Sequence, residues 1–149
     1  MSVIKNSAIN WVNDLDKVDS GGRQVLMKKQ AQILVVDDDK NILELLKGLL
    51  GLSGYCCTTA PDAETALNLL KITRFSVMLT DVAMPGMNGI ELTRKASLAH
   101  PEMPIIVMTG FVDKYTSDES IKAGAADFIA KPFSITEIKA RIERLAQRL

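Results

Sequence analysis

Apolar positions along this chain follow two alternating periods. Short, mostly apolar runs at Ile33–Val36, Tyr55–Thr58, Phe75–Thr80, Ile105–Met108 and Asp127–Ala130 predict five strands. Between them the spacing changes to that of helices. Ile42, Leu45, Leu46, Leu49 and Leu50 form one apolar stripe, and Ala63, Ala66, Leu67 and Leu70 form a second after Pro61-Asp62. A third helix is expected from Asn88 through Ile90, Leu92 and Ala96 to about Ala99. A fourth is expected over 117–123, closed by Gly124 as a left-handed cap. The fifth opens with Ser134-Ile135-Thr136-Glu137, a capping box, and carries Ile138, Ile142, Leu145 and Leu149. Strand and helix alternating five times predict an α/β fold, a parallel sheet covered by helices on both faces.

Residues 1–31 stand apart as an amino-terminal extension to a domain at 32–149. Ile4, Ala8, Trp11, Leu15 and Val18 recur at helical spacing and predict a short amphipathic helix, ended by Ser20-Gly21-Gly22. Such a helix packs on its own domain or contacts a partner, a second copy of the chain included. Asp14, Asp16 and Asp19 on its polar face disfavour a membrane surface.

Composition narrows the function classes. The 149 residues suit one domain with a core of its own. Basic and acidic residues balance at 18 each, so there is no strong field for nucleic acid or an anionic membrane. No apolar run reaches the roughly 20 residues of a membrane span, and the first residues lack the apolar core of a secretory signal. The adjacent Cys56 and Cys57 have no second pair or histidine near them, which argues against zinc. A reducing cytoplasm is the expected location. His100, the single histidine, has no partner motif.

The candidate chemistry lies where the strands end. Asp37 and Asp38 follow the first strand, Asp81 the third, Thr109 the fourth and Lys131 the fifth. Singly, each has an ordinary explanation: an acid pair opens a helix, with Asp39 as its cap, and a threonine before glycine makes a turn. Together they place three acids, a hydroxyl and an ammonium on the edge of the sheet where open α/β folds bind ligands. Asp38 and Asp81, helped by Asp37, form a hard oxygen site suited to Mg²⁺. Beside that cation Asp81 can attack a phosphoryl group, with Lys131 and Thr109 on the phosphoryl oxygens. The added dianion then draws Thr109 and Lys131 inward and biases their loops.

At these residues the chain resembles the receiver domains of two-component response regulators. The matching stretches are Ile33-Leu34-Val35-Val36-Asp37-Asp38-Asp39, Asp81-x-x-Met84-Pro85-Gly86-Met87-x-Gly89, Val107-Met108-Thr109-Gly110, and Gly124-Ala125-x-Asp127-Phe128-x-x-Lys131-Pro132-Phe133. They cover residues 32–149, about four-fifths of the chain. The resemblance implies a flavodoxin-like, doubly wound (βα)5 fold in three layers, with strand order 2-1-3-4-5. It implies a switch, not a turnover enzyme: Asp81 takes phosphate, with Mg²⁺, from a histidine kinase or histidine phosphotransfer protein. It further implies a cis Lys131-Pro132 bond and Phe128 as the switch aromatic moving with Thr109. The fourth helix, fifth strand and fifth helix become the face that meets a downstream protein. Basic residues Lys139, Arg141, Arg144 and Arg148 on the last helix are a solvated face or part of that contact.

Three positions depart from, or tune, the pattern. Ala83 stands two residues after Asp81, where the family often carries a polar side chain, though its backbone carbonyl remains available to Mg²⁺. Phe111 stands two residues after Thr109 and, like Ala83, cannot orient an attacking water. Slow loss of the phosphoryl group is therefore expected. Asn88 in place of a common Asp still caps the third helix. Ala83 also argues against an Asp-nucleophile phosphohydrolase, which needs a second acid there. With Leu149 directly after the fifth helix, output through protein contact is expected, without nucleic acid or membrane. A phosphorylation-independent scaffold and the truncated receiver half of a longer transcriptional regulator are the alternatives.

Overall fold

Strands whose two faces are both buried must lie inside a covered sheet, and the apolar runs of this chain do so. The computed structural model describes residues 14–18, 20, 24–27, 31–110 and 113–147. In chain order the strands are β1 (Asp14–Val18), β2 (Gln24–Met27), β3 (Gln32–Val36), β4 (Cys56–Ala60), β5 (Val77–Asp81), β6 (Ile105–Thr109) and β7 (Asp127–Ala130). The helices are α1 (Lys40–Leu52), α2 (Ala63–Ile72), α3 (Gly89–Ala99), α4 (Lys114–Ala123) and α5 (Ile135–Gln147). Strands β3 to β7 form a parallel sheet in the order β4-β3-β5-β6-β7. Numbered within that sheet the order is 2-1-3-4-5, the doubly wound flavodoxin-like arrangement expected.

Residue parity divides the core in two. Ile33, Val35, Val77, Leu79, Ile106 and Met108 point to one face, where Leu43, Leu46 and Leu50 of α1 and Ile138, Ile142 and Leu145 of α5 meet them. Leu34, Val36, Met78 and Ile105 point to the other, against Ala63, Ala66 and Leu70 of α2 and Leu92 and Ala96 of α3. Each helix opens on a side-chain cap. The carboxylates of Asp39, Asp62 and Asp113, the Asn88 amide oxygen and the Ser134 hydroxyl accept from N–H groups two or three residues on. Asp39 and Asn88 thus cap α1 and α3 as their sequences suggest. Gly124 closes α4 at φ +112°, and Ser97 of α3 donates to the Ala123 carbonyl at 2.9 Å.

Several expectations are corrected. Leu45 belongs to the stripe read from periodicity, yet it is 53% exposed, and the buried face of α1 is Leu43, Leu46 and Leu50. Leucines occur around much of this helix, so spacing alone does not choose which arc the sheet covers. Helix α4 begins at Lys114, ahead of the expected start, because Asp113 caps it where no apolar period gives warning. Leu15 and Val18 lie in β1, which pairs antiparallel with β2, so the amphipathic helix does not extend over 14–18. Of the Ser20-Gly21-Gly22 break only Ser20 is among the described residues, and it is exposed. One irregularity between Asp14 and Lys17 fits their spacing of three to a two-residue advance on β2. Ile4, Ala8, Trp11, Phe111, Arg148 and Leu149 lie outside the described residues. Among the described residues, no helix is long and apolar enough to cross a membrane.

Candidate functional site

The parallel sheet brings the carboxyl ends of β3, β5, β6 and β7 to one edge, and the strand order makes β3 and β5 neighbours. Asp37 follows β3 and is fully buried. Its Oδ1 accepts the Asp39 N–H at 2.9 Å, and its Oδ2 accepts from Lys131 Nζ at 2.7 Å. Asp38 beside it is exposed. Asp81 is the last residue of β5, buried, with Oδ1 accepting the Val82 N–H at 2.9 Å and lying 3.4 Å from Lys131 Nζ. Asp37, Asp38 and Asp81 each offer a carboxylate oxygen, and these oxygens all lie within 4.8 Å of one another.

Lys131 reaches the acids because its own backbone is fixed. It directly follows β7, and its N–H donates to the Thr109 carbonyl at 2.7 Å, extending the β6–β7 ladder by one rung. Thr109, at the end of β6, is buried, and the Lys131–Pro132 bond is cis. Lys131 Nζ therefore stands between Asp37 and Asp81. Phe128 lies within β7, opposite Val107, and is half-buried. Ala83 is exposed in the loop after β5, which Met84 and the partly buried Met87 anchor in the core.

Charge and burial oppose each other here. Burial pushes the Asp81 carboxyl above the usual aspartate range; Lys131 pulls it back in part, and the charge on Asp37 raises it again. Burial pulls Lys131 down, but its hydrogen bond to Asp37 and the charges of Asp37 and Asp81 outweigh that and raise it. The site is a cationic ammonium among three acids, with formal charge to spare for a divalent cation. An octahedral Mg²⁺ holds oxygens about 2.0–2.1 Å away, so its ligands lie roughly 3–4 Å apart. The three carboxylates present oxygens within 4.8 Å of one another, near that spacing.

Two features escaped the sequence reading. Arg141 and Arg144 do not form a purely solvated face: Arg141 Nη1 is 2.6 Å from Asp127 Oδ1, and Arg144 pairs with Asp127 Oδ2. The separation of three along α5 was the available signal, since it puts both on one side. The second is Gly89, which stands with its N–H donating to the Val82 carbonyl at 2.9 Å, against the backbone of Asp81. Gly89 ends the Asp81-x-x-Met84-Pro85-Gly86-Met87-x-Gly89 stretch, but that stretch alone does not say that the glycine stands against the Asp81 backbone.

Comparison with known proteins gives these features their setting. The sequence profile of the response regulator receiver domain matches residues 33–143. The chain is similar to the transcriptional regulatory protein FixJ of Bradyrhizobium diazoefficiens, 37% identical over 117 residues, which are 78% of this chain and 57% of that protein. It is also 37% identical over 112 residues to the DNA-binding transcriptional regulator NtrC of Escherichia coli, covering 75% of this chain and 24% of that one. The chain thus spans only part of the length of the curated relatives it matches. Among solved structures, the response regulator TrrA of Thermotoga maritima in complex with Mg²⁺-BeF is 34% identical, with a TM-score of 0.72 over 78% of this chain and 99% of that one. With fold, strand-end acids and profile all in agreement, the chain belongs to the receiver domain family of two-component response regulators.

Proposed function

We propose that Asp81 is the phosphoryl acceptor of a signalling switch, supplied by a phosphohistidine on a histidine kinase or phosphotransfer protein. The observation that carries this reading is Lys131 Nζ poised 2.7 Å from Asp37 and 3.4 Å from Asp81, at a cluster of three acids. In the transfer an Asp81 carboxylate oxygen forms a bond to phosphorus while the phosphorus–nitrogen bond to the donor imidazole breaks. The leaving imidazole nitrogen keeps that electron pair and takes a proton from water. Asp37, Asp38, Asp81 and the Ala83 carbonyl would hold Mg²⁺, which neutralises charge on the phosphoryl oxygens when bound. Lys131 supplies the second positive charge, and the Thr109 hydroxyl a hydrogen bond.

Phe128 and Thr109 are the switch pair, and α4, β7 and α5 form the face that meets a target protein. Intact mass after incubation with acetyl phosphate and Mg²⁺ tests the acceptor. Wild type gains one phosphoryl group and Asp81→Asn gains none; an equal gain in both sinks the assignment. The purified phosphoprotein should hold its group far longer than seconds, because Ala83 has no polar side chain to orient water. Decay followed by mass checks this.

A second reading is favoured by the coverage of FixJ and NtrC: the chain works as the receiver part of a longer regulator. An immunoblot of cells that express the natural gene distinguishes them by the size of the band.

A further inference from the structure

The loop after β5 must return the chain to start α3 while leaving Asp81 in place. It does so by bringing the first residue of α3 against the last of β5. A Cβ built on Gly89 would lie 1.8 Å from the Asp81 carbonyl oxygen, 2.7 Å from its carbonyl carbon and 3.0 Å from Val82 Cα. Relieving the first contact to 3.0 Å, a distance that real Cβ atoms hardly ever undercut, needs a 1.2 Å displacement. Something must move by about the length of a bond.

Helix α3 is held firmly on its side of this contact. Leu92 and Ala96 are completely buried against the sheet. The Thr93 hydroxyl donates to the Gly89 carbonyl at 2.7 Å, and Asn88 caps the helix. The Gly89 N–H holds the Val82 carbonyl at 2.9 Å, which resists separation of the two segments. The Asp81–Val82 peptide is held from the sheet side: its N–H donates to the Met108 carbonyl of β6 at 3.2 Å and to Asp81 Oδ1 at 2.9 Å. Its carbonyl, the group that a Cβ on Gly89 would strike, accepts from the Thr80 hydroxyl at 3.0 Å. Displacement there turns the Asp81 carboxylate relative to Asp37 and Lys131.

We propose that Gly89 is a positioning residue for phosphoryl transfer: its missing side chain lets the fixed end of α3 set the Asp81 peptide, and so the aim of the acceptor carboxylate. This rests on Asp81 being the acceptor. Misplacing a reacting group by about 1 Å costs on the order of 100-fold in rate.

The test compares wild type, Gly89→Ala, Gly86→Ala and Thr80→Val. Phosphorylation rate with acetyl phosphate is read by mass, Mg²⁺ affinity by calorimetry and stability by urea denaturation. Gly86 is in the same loop at φ +76°, but nothing lies within 4 Å of its Cβ position, so its alanine variant strains the loop without touching Asp81. Thr80→Val frees the Asp81 carbonyl without adding bulk. The expected result is a loss of about 100-fold in the rate of folded Gly89→Ala, with weaker Mg²⁺ binding. A few-fold loss is expected for Thr80→Val, and a Gly86→Ala rate within about twofold of wild type.

A folded Gly89→Ala that reacts like wild type overturns the proposal, because a purely structural role lowers the urea midpoint alone. Equal slowing by Gly86→Ala overturns it too. If Gly89→Ala does not fold, Thr80→Val decides: a few-fold loss upholds control through the Asp81 carbonyl, and an unchanged rate refutes it. Failure of wild type to accept phosphate would instead refute the acceptor assignment.

Discussion

Asp81 pays for its place at the end of β5 with solvation, and the cost has a pH signature. Burial raises its folded pKa above the unfolded value, Lys131 only partly offsetting this. The folded state therefore holds this proton more tightly than the unfolded chain does. The group favours folding most below its unfolded pKa, and that benefit is lost as pH rises through the folded value. Without divalent cation at neutral pH, Asp81→Asn should melt at a higher temperature than wild type. The gap should narrow as pH falls through the carboxylate range and shrink when Mg²⁺ is added. Thermal melts in EDTA across pH check this; a gap that widens on acidification contradicts it. Asp62 and Asp113 behave in the opposite sense. Backbone N–H groups of Thr65 and Thr116 hold them below the usual range, so their contribution is present above the unfolded pKa and fades in acid.

At the scale of elements, α1 carries an internal inconsistency. Gly48 and Gly51 sit within the helix, and nothing lies within 4 Å of a Cβ at either position. Glycine in a helix interior costs about 1 kcal/mol relative to alanine. Gly48→Ala should therefore stabilise the protein by roughly that amount, raising the urea midpoint without slowing phosphorylation by acetyl phosphate. No gain in midpoint would mean that the glycine is needed for the native helix path. Elements differed in how readable they were for physical reasons. Strand β3 was plain because Ile33–Val36 are apolar and buried on both faces. The direction of α1 was not, because Leu45 and Leu43 are chemically alike and only the sheet's position separates them. The start of α4 depends on the single cap Asp113, and β1 and β2 depend on a pairing that a helical spacing of Leu15 and Val18 conceals.

Across the whole molecule, the acidic half of the site was legible because strand-end residues share an edge once the parallel order is known. Asp37, Asp38, Asp81 and Lys131 could thus be grouped from sequence. Contacts made by backbone closeness, such as Gly89 against Asp81, or by side chains meeting across elements, such as Asp127 with Arg141 and Arg144, leave no comparable trace. The salt bridge from Lys131 to Asp37 joins residues 94 apart in the chain, and β3, the first strand of the sheet, lies between β4 and β5. Synthesis proceeds from the amino terminus at roughly 5–20 residues per second. The three acids therefore emerge from the ribosome seconds before the ammonium that completes them. A growing chain, however much of its sheet has assembled, lacks the ammonium between Asp37 and Asp81 until β7 has been made. With Asp81 as the proposed acceptor, an unfinished copy would hold its acids without the second positive charge that phosphoryl transfer calls for.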